Sequence, residues 1–197
     1  MSHSFPRAHY LCISPFKMMK KRSIEELNRL SVSEFKKAEK NPFILILDNI
    51  RSLNNIGSIF RTADAFRVSH IYLCGITARP PHREIRKTAL GSTESVDWTY
   101  TEDVREAIKK ARKEGFVILS LEQTRDGIYL NDYHPEPGAK VALILGNEVQ
   151  GVSEDAIRLS DHCIEIPQFG HKHSFNVTIS NGIALWDLLQ KMKSDLK

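Results

Sequence analysis

Hydrophobic positions along the chain fall into two rhythms. Near-continuous apolar runs occur at Phe43–Leu47, His70–Cys74, Phe116–Leu121, Val141–Leu145 and Cys163–Ile166. The continuous run at Phe43–Leu47, like that at Phe116–Leu121, is short enough for a strand buried on both faces, and the others read as further strands. Between them the apolar residues recur at helical spacing. Ile59, Phe60, Ala63 and Phe66 predict one helix, and Glu102 to Glu114, closed by Gly115, a second. A long final helix is predicted from about Asn176, with Ile179, Ile183, Leu185, Trp186 and Leu189 on its apolar stripe. Strands separated by helices imply an α/β fold: an open, mostly parallel sheet with helices on both faces. Such sheets bind ligands beyond the C-terminal ends of their strands, so the residues at each strand exit matter most.

The first 40 residues behave differently. Pro6 and Pro15 interrupt regular structure, and only from Ser23 does a helical pattern begin, with Ile24, Leu27 and Leu30 in register and Glu26 three residues after Ser23 as in a capping box. Residues 1–40 carry nine Lys/Arg and four Asp/Glu, whereas residues 41–197 carry nineteen and twenty. The chain thus reads as a basic N-terminal extension with a short helix (1–40) on a nearly neutral domain (41–197). Basic clusters such as Lys17, Lys20, Lys21 and Arg22 suit a polyanion through phosphate neutralisation, and equally suit a solvated terminus. No apolar run approaches the roughly 20 residues that span a bilayer. The N-terminal basic cluster comes after the weakly apolar stretch, the wrong order for a secretory signal. Cys12, Cys74 and Cys163 are scattered, an arrangement that favours reduced thiols over disulfides or zinc. A cytoplasmic protein is expected, with no membrane and no metal.

Three strand exits carry candidate chemistry. The first, Asp48 to Asp64, holds Asn54 and Asn55 where a helix would be capped, with Arg61 less than two turns on, a guanidinium fork for a phosphate. Capping by Asn55 and an Arg61–Asp64 ion pair would account for the same residues. The second is Leu143-Ile-Leu-Gly-Asn-Glu-Val-Gln-Gly-Val-Ser153, with Glu148 between two glycines. The third, Ile164 to Gly182, places Ser174 and Asn176 around Phe175 as the last helix begins. His171 and His173 form only an HxH pair, short of a metal site. The run from Ala78 to Gly91 gathers His82, Arg83, Arg86 and Lys87 behind a strand end, where they could contact RNA phosphates or merely face solvent.

Taken in order, NNIGSIFRTADAF, LILGNEVQGVS and IEIPQFGHKHSFNVTISNGIAL resemble the three signature motifs of the SpoU/TrmH methyltransferases of the SPOUT superfamily, over roughly residues 41–190. That resemblance implies a C-terminal deep trefoil knot, an exception to the unknotted rule. It also implies a pocket for S-adenosyl-L-methionine, a homodimer with the last helix in the interface, and an RNA ribose 2′-hydroxyl as methyl acceptor. It assigns the cofactor pocket to Gly146, Ile166 and Phe175, with Leu121 and Leu145 at neighbouring strand ends. The catalytic set becomes Arg61, Asn55, Glu148, Ser174 and Asn176. A guanidinium is a poor base, so Arg61 is expected to hold a phosphate and stabilise developing alkoxide charge. Asn55 and Glu148 are expected to orient Arg61 and the ribose, while Ser174 and Asn176 order the knot loop. Phe175, Gln168 and Arg67 depart from the leucine, methionine and glycine common at those places. The additional N-terminal RNA-binding domain of many ribosomal-RNA members is lacking, which favours tRNA over rRNA as substrate. The alternative is an RNA-binding assembly factor that keeps the fold without turnover. No GxGxxG comes after the first strand, which argues against a Rossmann dehydrogenase.

Overall fold

A computed structural model describes residues 20–23 and 25–194. Residues 1–19, which include Cys12 and Lys17 of the basic arm, and the Ile24 position of the expected helix lie outside the described residues. The described part divides into two compact units that part between Leu30 and Ser31. In the first, Ser23 and Glu26 form the expected reciprocal cap: the Ser23 amide donates to Glu26 Oε2 (2.6 Å) and the Glu26 amide to Ser23 Oγ (3.3 Å). The cap opens only a 3₁₀ turn, Glu25–Leu27, because Asn28 turns left-handed (φ 46°) and stops it short of Leu30.

The second unit begins ahead of the expected start at Asn41, with helix α1 (Val32–Lys37). Ser31 and Glu34 cap it reciprocally, and Phe35 is buried in the core of this unit. From there the strands are β1 (Asn41–Asp48), β2 (Val68–Cys74), β3 (Trp98–Thr101), β4 (Phe116–Leu121), β5 (Ile128–Tyr129), β6 (Lys140–Leu145) and β7 (His162–Glu165). They form one sheet in the order β3-β2-β1-β6-β4-β7-β5, and every described pairing is parallel. The intervening helices are α2 (Leu53–Ala65), α3 (Arg83–Ala89), α4 (Ser92–Ser95), α5 (Val104–Lys113), α6 (Glu154–Leu159) and α7 (Val177–Ser194).

The unbroken apolar runs are explained by two cores. In β1, Phe43, Leu45 and Leu47 face one core with α2, α3 and α7, while Ile44 and Ile46 face the other with α5 and α6. In β6, Val141, Leu143 and Leu145 alternate in the same way with Ala142 and Ile144. Both faces of the central strands are therefore dry, as period-2 geometry requires when helices cover each side.

Two expectations need correction. Helix α2 is capped by Ser52, whose Oγ accepts from the Asn55 amide (3.3 Å), so Asn54 and Asn55 lie inside its first turn and do not precede it. The apolar stripe of α7 splits in two. Leu185 and Leu189 are buried with Ala184 and Leu188, but Ile179 (53% exposed), Ile183 and Trp186 (58% exposed) face outward. The helix is apolar on two sides, and spacing alone does not tell which side the core takes.

Candidate functional site

The loop after β6 is built around two glycines. Asn147 and Gly151 exchange backbone hydrogen bonds in both directions (each 2.9 Å), closing a tight turn that thrusts Glu148 outward. A Cβ on Gly146 would overlap the Gly151 and Val152 backbone, and Gly151 adopts φ +72° against the Glu122 carboxylate, so both positions require glycine. Three neighbours staple the turn. Glu122 Oε2 accepts from the Val152 amide (2.8 Å), Asp48 Oδ2 from the Ser153 amide (2.9 Å), and Asn147 Nδ2 donates to the Asn49 carbonyl (2.7 Å). Asn147 Oδ1 also accepts from the Val149 and Gln150 amides (2.9 and 3.0 Å). Sequence reasoning passes over Asn147 and Glu122. The signal for Asn147 is an Asn in the strand-exit turn beside Glu148; Glu122 acts across 30 residues of chain and carries no local signal.

Glu148 meets the start of α2. Its Oε2 accepts from the Arg51 amide (2.9 Å), and its Oε1 from the Ser52 amide (3.0 Å) and from Asn55 Nδ2 (2.8 Å). Burial alone would raise its pKa. The bonds from Arg51, Asn55 and Ser52 together outweigh burial and hold the carboxyl below its ordinary value. An ionised carboxylate only accepts, which fixes the amide of Asn55 with Nδ2 toward Glu148 and Oδ1 outward. Asn176 Nδ2 then donates to Asn55 Oδ1 (3.3 Å), and Asn176 Oδ1 accepts from the Thr178 amide (2.9 Å) and hydroxyl (2.6 Å), capping α7. Glu148, Asn55 and Asn176 thus form one directional chain joining three segments distant in sequence.

Beside this chain is a cavity of about 560 Å³ over the exits of β4, β6 and β7. All five expected pocket residues line it: Leu121, Leu145, Gly146, Ile166 and Phe175. Ser174 and Asn176 line it as well, and Glu122 and Glu165 add carboxylates. Gln123 Nε2 donates to the His173 carbonyl (3.1 Å), tying the segment after β7 to the exit of β4. That segment crosses from β7, near one edge of the sheet, to α7, which packs against α2.

Arg61 is not brought into this cluster. It is exposed on α2, about 9 Å along the axis from Asn55 at helical rise, and lines none of the described cavities. It has no hydrogen bond or ion pair among the described residues; Asp64, its alternative partner, accepts from Ser95 Oγ instead. Contrary to expectation, neither Glu148 nor Asn55 bonds Arg61 among the described residues; their bonds go to each other, to backbone and to Asn176. Among the described residues no group of three or more His, Cys, Asp or Glu side chains could hold a metal. Burial pushes the Cys74 thiol up to about 12, only partly offset by its bond from Thr101, which leaves it protonated and unreactive.

The profile of the SpoU rRNA methylase family matches residues 42–186, which contain all of this site. The chain belongs to the SpoU methylase family. Among proteins similar to this SpoU-family chain is an uncharacterized tRNA/rRNA methyltransferase of Borreliella burgdorferi, 32% identical over 80% of this chain and 68% of that protein. A tRNA (guanosine(18)-2′-O)-methyltransferase of Aquifex aeolicus is 29% identical over 73% of this chain and 67% of its own length. Of solved structures, an AdoMet-bound rRNA methyltransferase from Sinorhizobium meliloti superimposes with a TM-score of 0.70 at 26% identity, covering 78% of this chain and 58% of that one. The A. aeolicus TrmH/SpoU tRNA modifying enzyme superimposes with a TM-score of 0.71 at 24% identity, over 81% and 79%, and shares the fold.

Proposed function

We propose that this SpoU-family protein methylates a ribose 2′-hydroxyl of RNA, with S-adenosylmethionine as donor. The observation that carries the reading is the convergence of three distant segments, through Glu148, Asn55 and Asn176, on the rim of a cavity lined by all five residues expected to hold the donor. The cavity fits such a group. Its volume of about 560 Å³ falls in the range of about 300–1,000 Å³ usual for small-molecule sites. Leu121, Leu145, Ile166 and Phe175 offer apolar walls for a purine, the cradle at Gly146 has no room for a side chain, and Glu122 and Glu165 suit a cationic ligand. The Sinorhizobium relative is described with AdoMet bound, and the Aquifex relative by its name as a 2′-O-methyltransferase.

When bound, the donor supplies a methyl group on a positively charged sulfur. The 2′-hydroxyl proton is released to solvent, and the protein's own residues supply the positioning. The Glu148 carboxylate, held ionised by three donors, anchors Asn55 and is a weak base near neutral pH. Asn55 and Asn176 orient the sugar at the rim, Ser174 orders the loop beside it, and positioning of this kind supplies up to about 7–11 kcal/mol of barrier reduction for well-aligned groups. Arg61, exposed and uncommitted among the described residues, takes the phosphate next to the target and lowers the cost of negative charge on the 2′-oxygen.

We further propose that the segment after β7 threads the loop after β6 as a deep trefoil knot. The stapling of that loop by Glu122, Asp48 and Asn147 and the crossing from β7 to α7 support it. The working form is a cytoplasmic homodimer joined through the outward stripe of Ile179, Ile183 and Trp186, acting on tRNA in preference to rRNA. The compact unit from Ser31 onward serves as the methyltransferase domain, with the basic residues that precede it as an extension. Mass spectrometry of RNA nucleosides from cells with and without the gene tests this function. Loss of one 2′-O-methylated nucleoside is expected; identical profiles, or loss of a base-methylated nucleoside alone, would refute it.

A further inference from the structure

Among the described residues, three arginines on one face of the sheet are ion-paired. On α5 and α6, Arg105 pairs with Asp103 (2.6 Å), Arg112 with Asp161 (2.8 Å) and Arg158 with Asp155. On the opposite face of the sheet, α3 presents Arg83, Arg86 and Lys87, all exposed. Among the described residues Arg83 and Arg86 have no ion pair, and Lys87 reaches Glu84 only at 3.9 Å. Just before α3, the Arg79 guanidinium lies over the Tyr100 ring (4.4 Å to its centroid), and the Tyr100 hydroxyl donates to the Gly75 carbonyl (3.0 Å). Helix α5 also carries exposed lysines without ion pairs among the described residues, Lys109, Lys110 and Lys113, but its arginines are paired. On α3 both guanidiniums are left without an ion pair, and Glu84 faces Lys87 alone.

This face is also mounted rigidly next to the site. Ile85 and Ala89 are buried, Thr88 Oγ1 donates to the Asn54 carbonyl (3.0 Å), and α3 lies so close to α2 that a Cβ on Gly57 would overlap Thr88 and the Ile85 carbonyl. The contact at Asn54 is one residue from Asn55, whose side chain belongs to the Glu148–Asn55–Asn176 chain. Between Pro81 and Lys87 the surface holds a shallow depression of about 470 Å³ lined by His82, Arg83 and Arg86.

We propose that α3 is a docking track for the sugar–phosphate backbone of the RNA substrate flanking the target nucleotide, with Arg79, Arg83, Arg86 and Lys87 contacting successive phosphates. Charge complementarity selects this occupant, since unpaired guanidinium forks match phosphate oxygens. Contacts to phosphate fix register and orientation without reading sequence, which is what a track leading to a positioned ribose requires. The proposal rests on the reading of the protein as an RNA methyltransferase.

The test is the salt dependence of binding to unfractionated tRNA, measured by fluorescence anisotropy. The variant R83Q/R86Q/K87Q is compared with wild type and with K109Q/K110Q/K113Q, which removes equal charge from exposed positions on α5. Each lost phosphate contact flattens the plot of log affinity against log salt by about 0.7–0.9. The α3 variant is therefore expected to bind about 10- to 100-fold more weakly near 0.1 M salt, with a slope shallower by about 2–3. The α5 variant should keep a slope near wild type, R83K/R86K should keep most of the affinity, and S-adenosylmethionine should bind all four proteins equally by calorimetry. An α3 variant that matches wild type, or an α5 variant that loses as much, overturns the track while leaving the RNA reading standing. A wild-type protein that binds no RNA overturns both.

Discussion

Replacing Glu148 by glutamine isolates the electrostatic centre of the site. Gln keeps one oxygen for the Ser52 amide and Asn55, but turns an NH₂ toward the Arg51 amide, where the carboxylate now accepts at 2.9 Å. One charge-assisted bond, a class worth about 1.5–3 kcal/mol, is lost outright. The other two weaken to ordinary strength, and the favourable anion at the N-terminus of α2 disappears, a further loss of about 0.3–1 kcal/mol. Because Glu148 is solvent-exposed, screening reduces the sum, and a loss of about 2 kcal/mol at pH 7 is expected. The pH dependence comes from the lowered pKa. Burial, taken alone, would raise it, but the bonds from Arg51, Asn55 and Ser52 hold it below the ordinary 4.5. The carboxylate's contribution is therefore complete above the unfolded value and is lost as pH falls through the lower folded value. Urea unfolding of Glu148→Gln and wild type from pH 7 to pH 3 should show a constant gap down to about pH 5 that closes at lower pH. A glutamine variant as stable as wild type at pH 7, or a gap indifferent to acid, would show that the carboxylate does not hold these three donors.

Other substitutions probe the remaining supports. Gly146→Ala pushes a methyl into the Gly151 and Val152 backbone, and should weaken S-adenosylmethionine binding by at least about tenfold in calorimetry, equivalent to about 1.4 kcal/mol; unchanged affinity would remove the loop from the donor site. Arg67 ends α2 in the left-handed region (φ 47°), a conformation costing a residue with a Cβ about 1–2 kcal/mol. Against this, glycine carries an entropic penalty of about 0.5–1 kcal/mol, so Arg67→Gly should gain up to about 1 kcal/mol in denaturant unfolding, and a loss would contradict it. Trp186→Arg, on the outward stripe of α7, should shift sedimentation from dimer to monomer; an unchanged wild-type-like dimer would put the interface elsewhere.

How much of this is legible in the sequence depends on whether a residue's neighbours are local. β1 and β6 announce themselves because both faces are buried and their apolar runs are unbroken, and β4 because only Ser120 interrupts its run. β3, Trp98–Thr101, is a half-buried edge strand with two threonines, and β5 has only two residues, so neither produces a run. The start of α2 is easily misplaced because Asn54 and Asn55 are good cap residues, yet Ser52 sits earlier and takes the role; Asn55 is thereby freed for Glu148. On α7, two apolar faces share one helix, and the choice between Leu185 inside and Trp186 outside is made by packing against α2, not by spacing. The motif residues Asn55, Glu148 and Asn176 are legible as candidates, whereas their mutual hydrogen bonds join positions about a hundred residues apart and belong to the tertiary fold. The motifs suggest Arg61 as the partner of that group, and the structure leaves it apart.

The most direct measurement supplies the purified protein with S-adenosylmethionine labelled in its methyl group and with unmodified RNA. The RNA is then digested with alkali and separately to nucleosides for mass spectrometry. A methylated 2′-oxygen cannot attack the adjacent phosphate, so the account predicts label in alkali-resistant dinucleotides and in 2′-O-methylated nucleosides, and predicts that Asn55→Ala and Asn176→Ala reduce it strongly. Label confined to a base, or none in any RNA while the donor remains bound, would contradict the account.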